Sequence, residues 1–170
     1  RDAEYAALVA EADEAIGGIV KTLRQRRLEE NTLIFCLSDN GGAAPQAEMG
    51  GLRGHKWELW EGGIRVTWIV QWRGRVPAGR VVDVPVIQLD VMPTALAVAG
   101  TTVKPEWQLD GVNLLPLLEG RATALARDGL FWRFGPQAAV RQGDWKWVKA
   151  AKDMQPMLVN LATDPGEKVD

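Results

Sequence analysis

One apolar run, residues 32–37, ends abruptly in polar and small residues: Ser38, Asp39 and Asn40, and then two glycines. A continuous apolar run of this length is typical of a parallel strand that is buried on both faces. In open α/β sheets, ligands bind outside the carboxyl ends of the strands, and Asp39 and Asn40 stand at such an end. Their oxygen atoms are the donors that Ca²⁺ or Mg²⁺ selects. The run therefore predicts a metal-binding loop.

The same residues have a second interpretation, because Asn-Gly between two strands is a strong indication of a two-residue hairpin. A hairpin requires a second strand directly after the turn. Residues 43–51 instead contain a proline, several small residues and no alternation of apolar and polar side chains. A ligand-bearing loop and a plain turn both stay open at this point.

Composition excludes several other classes of protein. The chain has 170 residues, of which 46% are hydrophobic and 25% charged, as in an ordinary soluble domain. A net charge of −2 provides no basic field for nucleic acid, and no stretch is as long and apolar as a membrane span. We therefore expect neither nucleic acid nor a membrane as a partner. Cys36 is the single cysteine, so an internal disulfide is excluded.

Periodicity predicts alternating helices and strands in the first part of the chain. Apolar residues recur at helical spacing over residues 5–23, which predicts an amphipathic helix of about six turns before the buried strand. Gly17 and Gly18 lie in its middle, and we expect close packing against a neighbour to explain them. Residues 64–72 are rich in Val, Ile and Trp and predict a second strand, and residues 87–99 predict a second helix.

The pattern changes past residue 121. Four short β-like pieces follow, at residues 130–134, 138–141, 145–149 and 157–161. Closely spaced short strands that are separated by turn residues predict a small antiparallel sheet. We therefore expect an α/β domain over residues 1–125 and a small antiparallel β subdomain over residues 126–170.

Several blocks of sequence, in this order, resemble the C-terminal part of a sulfatase, a family of the alkaline-phosphatase-like superfamily. They include Ser38-Asp39-Asn40-Gly41, Leu52-Arg53-Gly54-x-Lys56, Glu61-Gly62-Gly63-Ile64-Arg65-Val66, Leu109-Asp110-Gly111 and Asn160-Leu161-x-x-Asp164-Pro165. Each block alone is weak, but their order along nearly the whole chain is specific. The resemblance implies that the α/β part is a portion of a three-layer α/β/α sheet domain.

The resemblance also implies roles for the residues that match the family's motifs. Asp39 and Asn40 would be two ligands of a divalent cation, Ca²⁺ or Mg²⁺, and Lys56 would contact the sulfate group and the leaving-group oxygen. A sulfate ester gains negative charge on its oxygens in the transition state, so a dication and an ammonium group stabilise it. The implied activity is hydrolysis of sulfate esters, with a sulfated small molecule or glycan as partner. The family resemblance suggests a periplasmic or secreted location.

The motif of the family's nucleophile is absent from these 170 residues. The family converts a cysteine or serine in Cys/Ser-x-Pro-x-Arg into formylglycine, and Cys36 does not lie in such a motif. The chain begins at Arg1 as if cut from a longer protein, so we expect the formylglycine and the other metal ligands in a missing N-terminal part. We accordingly expect no turnover by this chain alone, and self-association through exposed strand edges and apolar faces.

The two residues that flank Lys56 each have two interpretations. His55 is either a structural or rim histidine or a contact to the substrate. Trp57 either packs on its own loop or narrows the pocket and stacks on a sugar ring.

Four other charged residues are expected to be structural or solvated. Glu61 and Arg65 could form an internal pair without touching the substrate. Arg141 and Lys146 lie in the predicted small sheet, where we expect water to solvate them.

Two classes of function stay open. The first is a hydrolase of sulfate esters, whose close rival on the same scaffold is a phosphodiester or phosphonate hydrolase. The second is a non-catalytic fragment or binding module that keeps the fold without the nucleophile.

Overall fold

The computed structural model describes residues 3–151 and 153–169. Its elements are, in order, α1 (Ala3–Gln25), β1 (Ile34–Leu37), α2 (Glu61–Ile64), β2 (Trp68–Gln71), α3 (Val91–Val98), α4 (Leu115–Leu118), β3 (Leu130–Phe134), β4 (Gln137–Gln142), β5 (Trp145–Lys149) and β6 (Met157–Asn160). Short 3₁₀ turns lie at Glu29–Asn31, Gln88–Asp90 and Pro105–Trp107. The described residues form two units, unit A within 1–25, 37–68 and 129–170, and unit B within 26–36 and 69–128. The expected domain limits at residue 125 stay a prediction.

The strands of the described chain form two sheets. Strands β3 to β6 pair in chain order as an antiparallel sheet, in which Phe131, Val140, Trp147 and Leu158 are direct neighbours across the strands. The predicted small antiparallel sheet is therefore confirmed. Its four strands begin and end at the predicted residues or next to them.

The second sheet contains β1 and β2. The side chains of β1 are half-buried rather than buried as predicted, because β2 is the one strand paired with it in the described part of the chain. The hairpin interpretation of Asn40-Gly41 is wrong, since residues 41–60 contain no strand. Strand β2 is also shorter than predicted, because Glu61–Ile64 form the short helix α2 instead of extended chain.

Helix α1 is confirmed at nearly its predicted length, with Glu4 in its first turn and Arg24 in its last. These two charges match the helix macrodipole. The close packing expected at Gly17 and Gly18 is not found among the described residues, because a Cβ on either would meet no atom within 4 Å outside α1's own backbone. Within residues 3–151 and 153–169, no helix is long and apolar enough to cross a membrane.

The core of unit A lies between the loop before α2 and the small sheet. Leu59 and Trp60 are buried against Ala139 of β4 and Val148 of β5. Side chains alternate between the two faces of a strand, so residues 146 and 148 of β5 point inward together while Trp145 and Trp147 point outward. The residues just before α2 are therefore held by the sheet.

Unit B is organised around the buried carboxylate of Asp90. Its Oδ2 accepts a hydrogen bond from the Ile87 backbone N at 2.9 Å, and its Oδ1 accepts one from the Val112 backbone N at 2.9 Å. The Arg127 guanidinium lies 2.6 Å from Oδ2 and neutralises the charge. Asp90 thus fixes the 3₁₀ turn that leads into the predicted helix α3.

Leu114 fills the core of unit B and is fully buried, whereas Leu89 is exposed. We expect Leu114→Ala to lower the free energy of unfolding by about 2–5 kcal/mol, because it removes buried apolar surface and leaves a cavity. Leu89→Ala is the matched control and should change it by less than about 0.5 kcal/mol. Denaturant titration of both variants measures the difference, and equal losses would contradict the packing described here.

Candidate functional site

Glycines hold two loops together at the end of β1. The Gly41 backbone N donates to Gly63 O at 2.8 Å, and the Gly62 backbone N donates to Arg53 O at 2.7 Å. A Cβ on Gly41 would lie 1.8 Å from Gly62 O, and a Cβ on Gly62 would lie 2.3 Å from Gly54 O. Only glycine permits backbones to approach this closely. We call the contact of Gly41 with Gly62 and Gly63 the glycine clamp.

Asp39 and Asn40 lie in the loop between β1 and the clamp, where the sequence placed them. Asp39 is exposed and Asn40 is half-buried, and Ser38 Oγ donates to Asn40 O at 2.8 Å, which shapes the turn. The part of the chain that the structure describes contains no group of three or more His, Cys, Asp or Glu residues that could hold a metal ion. Two side chains supply fewer oxygens than the six to eight that Ca²⁺ takes, so they fit part of a metal site. Their role as ligands stays a prediction.

Lys56 is joined to the same loop through its backbone. Its N–H donates to Gly42 O at 2.9 Å, two residues after Asn40. Its ammonium Nζ lies 5.5 Å from the centroid of the Trp57 ring, within the range of a cation–π contact. The structure thus brings Lys56 to the segment that carries Asp39 and Asn40, while its contact with a sulfate group stays a prediction.

His55 makes its contacts within its own loop. Its Nδ1 lies 2.8 Å from Lys56 O, its backbone N donates to Glu58 Oε2 at 3.1 Å, and its Nε2 lies 3.8 Å from the same oxygen. These contacts favour the structural interpretation of His55. A contact with substrate stays a prediction.

Trp57 is not packed on its loop in the way that the simpler interpretation requires. Its side chain is 67% exposed, and its ring lies 5.9 Å from that of Phe134, centroid to centroid. Its backbone has a φ of +81° and is held by Gln137, whose Nε2 donates to Trp57 O at 2.8 Å and whose Oε1 accepts from the Leu59 N–H at 3.1 Å. Neither Phe134 nor Gln137 was predicted as a neighbour of Trp57, because no local pattern in the sequence connects them with it.

Three buried charged residues support the loop from the inside of unit A, and we call them the buried charge cluster: Glu61, Lys146 and Glu167. Lys146 Nζ lies 3.0 Å from Glu61 Oε1 and 2.8 Å from Glu167 Oε1. Glu167 Oε2 accepts a hydrogen bond from the Glu61 backbone N at 2.6 Å. The expectation that Lys146 is solvated is wrong, since its side chain is 0% exposed. Strand β5 turns it inward beside Val148.

Two arginines approach the remaining oxygen of Glu61. Arg141 Nη1 and Arg65 Nη1 each lie 3.9 Å from Glu61 Oε2, which makes no hydrogen bond in the described structure. The Arg141 side chain is only 19% exposed, so the expectation that water solvates it is also wrong. The predicted pair of Glu61 and Arg65 is present as a long contact, with Arg65 largely exposed.

Burial raises the pKa of Glu167 above its ordinary value of 4.5, and the ammonium of Lys146 opposes the rise. Arg53 connects Glu167 with the clamp. Its Nη1 donates to Glu167 O at 2.8 Å, and its own carbonyl oxygen accepts from the Gly62 N–H. The cluster therefore fixes both sides of the loop that carries Lys56.

The chain is similar to known proteins over most of its length. The family model described as Sulfatase matches residues 1–101. Arylsulfatase H of Canis lupus familiaris is 37% identical over 136 residues, which cover 75% of this chain and 24% of the relative. N-acetylgalactosamine-6-sulfatase of Canis lupus familiaris is 30% identical over 200 residues, which cover 96% of this chain and 38% of the relative. The chain thus spans between 24% and 38% of the length of these relatives.

Solved structures share the fold. Ps i-CgsB in complex with k-i-k-neocarrahexaose matches with a TM-score of 0.88 at 32% identity, over 98% of this chain and 38% of that one. Phosphonate monoester hydrolase SpPMH from Silicibacter pomeroyi matches with a TM-score of 0.72 at 27% identity, over 94% of this chain and 34% of that one. The predicted α/β class with its antiparallel sheet is confirmed.

The raised pKa of Glu167 predicts how stability depends on pH. Above pH 4.5 the unfolded chain loses this proton while the folded chain retains it, so the free energy of unfolding falls as the pH rises toward the folded pKa. We expect Glu167→Gln, which stays neutral, to lose this part of the pH dependence. Urea titrations between pH 4.5 and neutrality measure it, with the exposed Glu106→Gln as control. Equal slopes for wild type and Glu167→Gln would contradict the assignment.

Proposed function

The chain belongs to the sulfatase family, and on that premise we propose that it forms part of the active site of an enzyme that hydrolyses sulfate esters. The observation that carries the proposal is the hydrogen bond of Lys56 N to Gly42 O, which joins the sulfate-binding candidate to the loop of Asp39 and Asn40. Because the chain spans 24% of arylsulfatase H, the proposed activity is that of the whole protein.

Lys56 is proposed to bind the sulfate group through its ammonium. When the ester bond breaks, negative charge moves to the leaving-group oxygen, and a fixed ammonium beside it stabilises that charge. The glycine clamp keeps the Lys56 loop against the loop after β1, so little reorganisation accompanies the reaction. The residue that attacks sulfur is expected outside this sequence, and we propose that the chain alone is inactive.

Asp39 and Asn40 are proposed to hold a divalent cation together with ligands outside this sequence. A carboxylate and an amide oxygen are hard donors that suit Ca²⁺ or Mg²⁺. When bound, the cation supplies positive charge beside the sulfate oxygens. The partner of this site is proposed to be a sulfated small molecule or glycan.

A second candidate function has a specific observation in its favour. The chain is 27% identical to a phosphonate monoester hydrolase over 94% of its length. Transfer of a phosphoryl or phosphonyl group also spreads negative charge over peripheral oxygens, so the same lysine and cation would serve it. Assays with an aryl sulfate and an aryl phosphonate monoester distinguish the two, since the preferred ester has the higher kcat/KM.

We expect Lys56→Ala in the intact enzyme to lower kcat/KM for an aryl sulfate by about 100-fold or more, the scale seen when one charge-stabilising donor is removed. Lys104→Ala is the matched control, because the Lys104 ammonium also lies over a tryptophan ring, at 5.9 Å from the Trp107 centroid. Its kcat/KM should match wild type. An unchanged kcat/KM in Lys56→Ala would refute the role of Lys56.

We expect a chelator of divalent cations to abolish hydrolysis of an aryl sulfate by the intact enzyme, and added Ca²⁺ to restore it. Asp39→Ala should raise the Ca²⁺ concentration for half-maximal activity by at least about tenfold, because a charged ligand is lost. Asp83→Ala removes an exposed carboxylate from another loop and should leave the Ca²⁺ dependence unchanged. The same Ca²⁺ requirement in Asp39→Ala and wild type would exclude Asp39 as a ligand.

A further inference from the structure

We propose that Trp57 and Phe134 form a binding surface for the pyranose ring of a sulfated glycan, next to the sulfate-binding Lys56. We call this pair the aromatic platform. The proposal rests on the function proposed above and adds the substrate class and two specificity-determining residues to it.

The two rings of the platform adjoin each other and are open to solvent. Their centroids are 5.9 Å apart with planes tilted by 33°, and the side chains are 67% and 45% exposed for Trp57 and Phe134. Aromatic faces carry partial negative charge, and the C–H groups on one face of a pyranose carry partial positive charge. An exposed pair of rings therefore offers a sugar both apolar contact and electrostatic complementarity.

The exposure of Trp57 is fixed by the fold. Residues other than glycine rarely adopt a positive φ, and the φ of +81° at Trp57 persists because the surrounding structure imposes it. Gln137 imposes it with both ends of its amide, which bond Trp57 O and the Leu59 N–H. Leu59 belongs to the buried core, so the ring is presented from a rigid base. Such strained positions cluster at binding sites.

The platform lies where the sugar of a bound sulfate ester would be. Lys56 Nζ is 5.5 Å from the centroid of the Trp57 ring. A single ester oxygen links the sulfate group to the sugar, so a sulfate held by Lys56 places its sugar beside the same aromatic face. An ammonium 5.5 Å from the centre of an aromatic ring matches a ligand that is anionic at one point and has a ring next to it.

If Trp57 served only to orient Lys56, removal of Phe134 would leave saccharide binding unchanged. Phe134 is the last residue of β3 and contacts Trp57 from a separate segment of the chain. We expect its removal to leave the contact of Lys56 with Trp57 in place, because Gln137 and not Phe134 holds the Trp57 backbone. Only a platform that binds the sugar requires both rings.

The test uses the intact enzyme and three probes: an aryl sulfate, k-i-k-neocarrahexaose and N-acetylgalactosamine 6-sulfate. We expect Trp57→Ala and Phe134→Ala each to raise KM for the better of the two saccharides by about three- to tenfold. Inorganic sulfate has no ring, so its inhibition constant reports on Lys56 alone. That constant should change by less than about twofold in both variants, which would exclude an effect through Lys56. Trp57→Phe should retain most of the saccharide affinity.

Phe131→Ala is the matched control. Phe131 lies on the same strand as Phe134 and is 68% exposed. Side chains alternate along a strand, so Phe131 stands on the opposite face of the sheet from Phe134. Its removal should leave KM for the saccharide unchanged.

Three outcomes would overturn the proposal. If wild type hydrolyses the saccharide and both alanine variants retain its KM, the platform is wrong and the sulfatase activity stands. If wild type hydrolyses the aryl sulfate but binds neither saccharide, the substrate class is wrong. If wild type hydrolyses no sulfate ester, the proposed function fails and the platform fails with it.

Discussion

A single buried ammonium group, that of Lys146, joins three distant parts of unit A. It lies between Glu61 of α2 and Glu167 near the end of the described chain, at 3.0 and 2.8 Å. Removing one partner from a buried ion pair costs about 3–5 kcal/mol, because the other charge stays buried without compensation. The positions of α2, β5 and the segment around Glu167 are therefore interdependent, and none of them can shift without separating charges inside the core.

This dependence extends from the cluster to the candidate site through the backbone. Glu61 precedes Gly62 and Gly63, whose contact with Gly41 is too close for any side chain. Gly41 in turn follows Asn40 directly. A displacement of Lys146 would thus move the clamp and the loop that carries the proposed metal ligands. The small sheet therefore helps to position the loop of Asp39 and Asn40, although neither of these proposed metal ligands belongs to the sheet.

Local sequence patterns predicted the elements whose position is marked by neighbouring residues alone. The 3.6-residue period of α1 and the turn residues between β3 and β6 needed no knowledge of distant contacts, and both were found where expected. Asp39 and Asn40 were placed correctly at the end of β1, because strand ends are marked by a change from apolar to polar residues. A resemblance to a family then selected the loop over the hairpin.

The errors arose where a distant residue decides the conformation. In strand β5 one face carries Trp145 and Trp147 and the other carries Lys146 and Val148, so the larger apolar face is the outer one and the sequence does not reveal that Lys146 faces the core. The two glycines of helix α2 indicate a loop. The helix forms because the carboxylate of Glu167, 106 residues away, accepts a hydrogen bond from the N–H of Glu61, its first residue. The contact of Gln137 with Trp57 spans 80 residues and has no local signature.

The place of Glu167 in the chain also sets an order of events during synthesis. A ribosome makes the loop around Lys56 before it makes residue 167, so the clamp stays without its anchoring carboxylate until Glu167 emerges. Contacts between residues so far apart in sequence form slowly, because the intervening chain must first be ordered. The site can therefore reach its final geometry only after residue 167 has been made. A nascent chain that is cleaved before Glu167 would keep all of its proposed ligands and lose the geometry that aligns them.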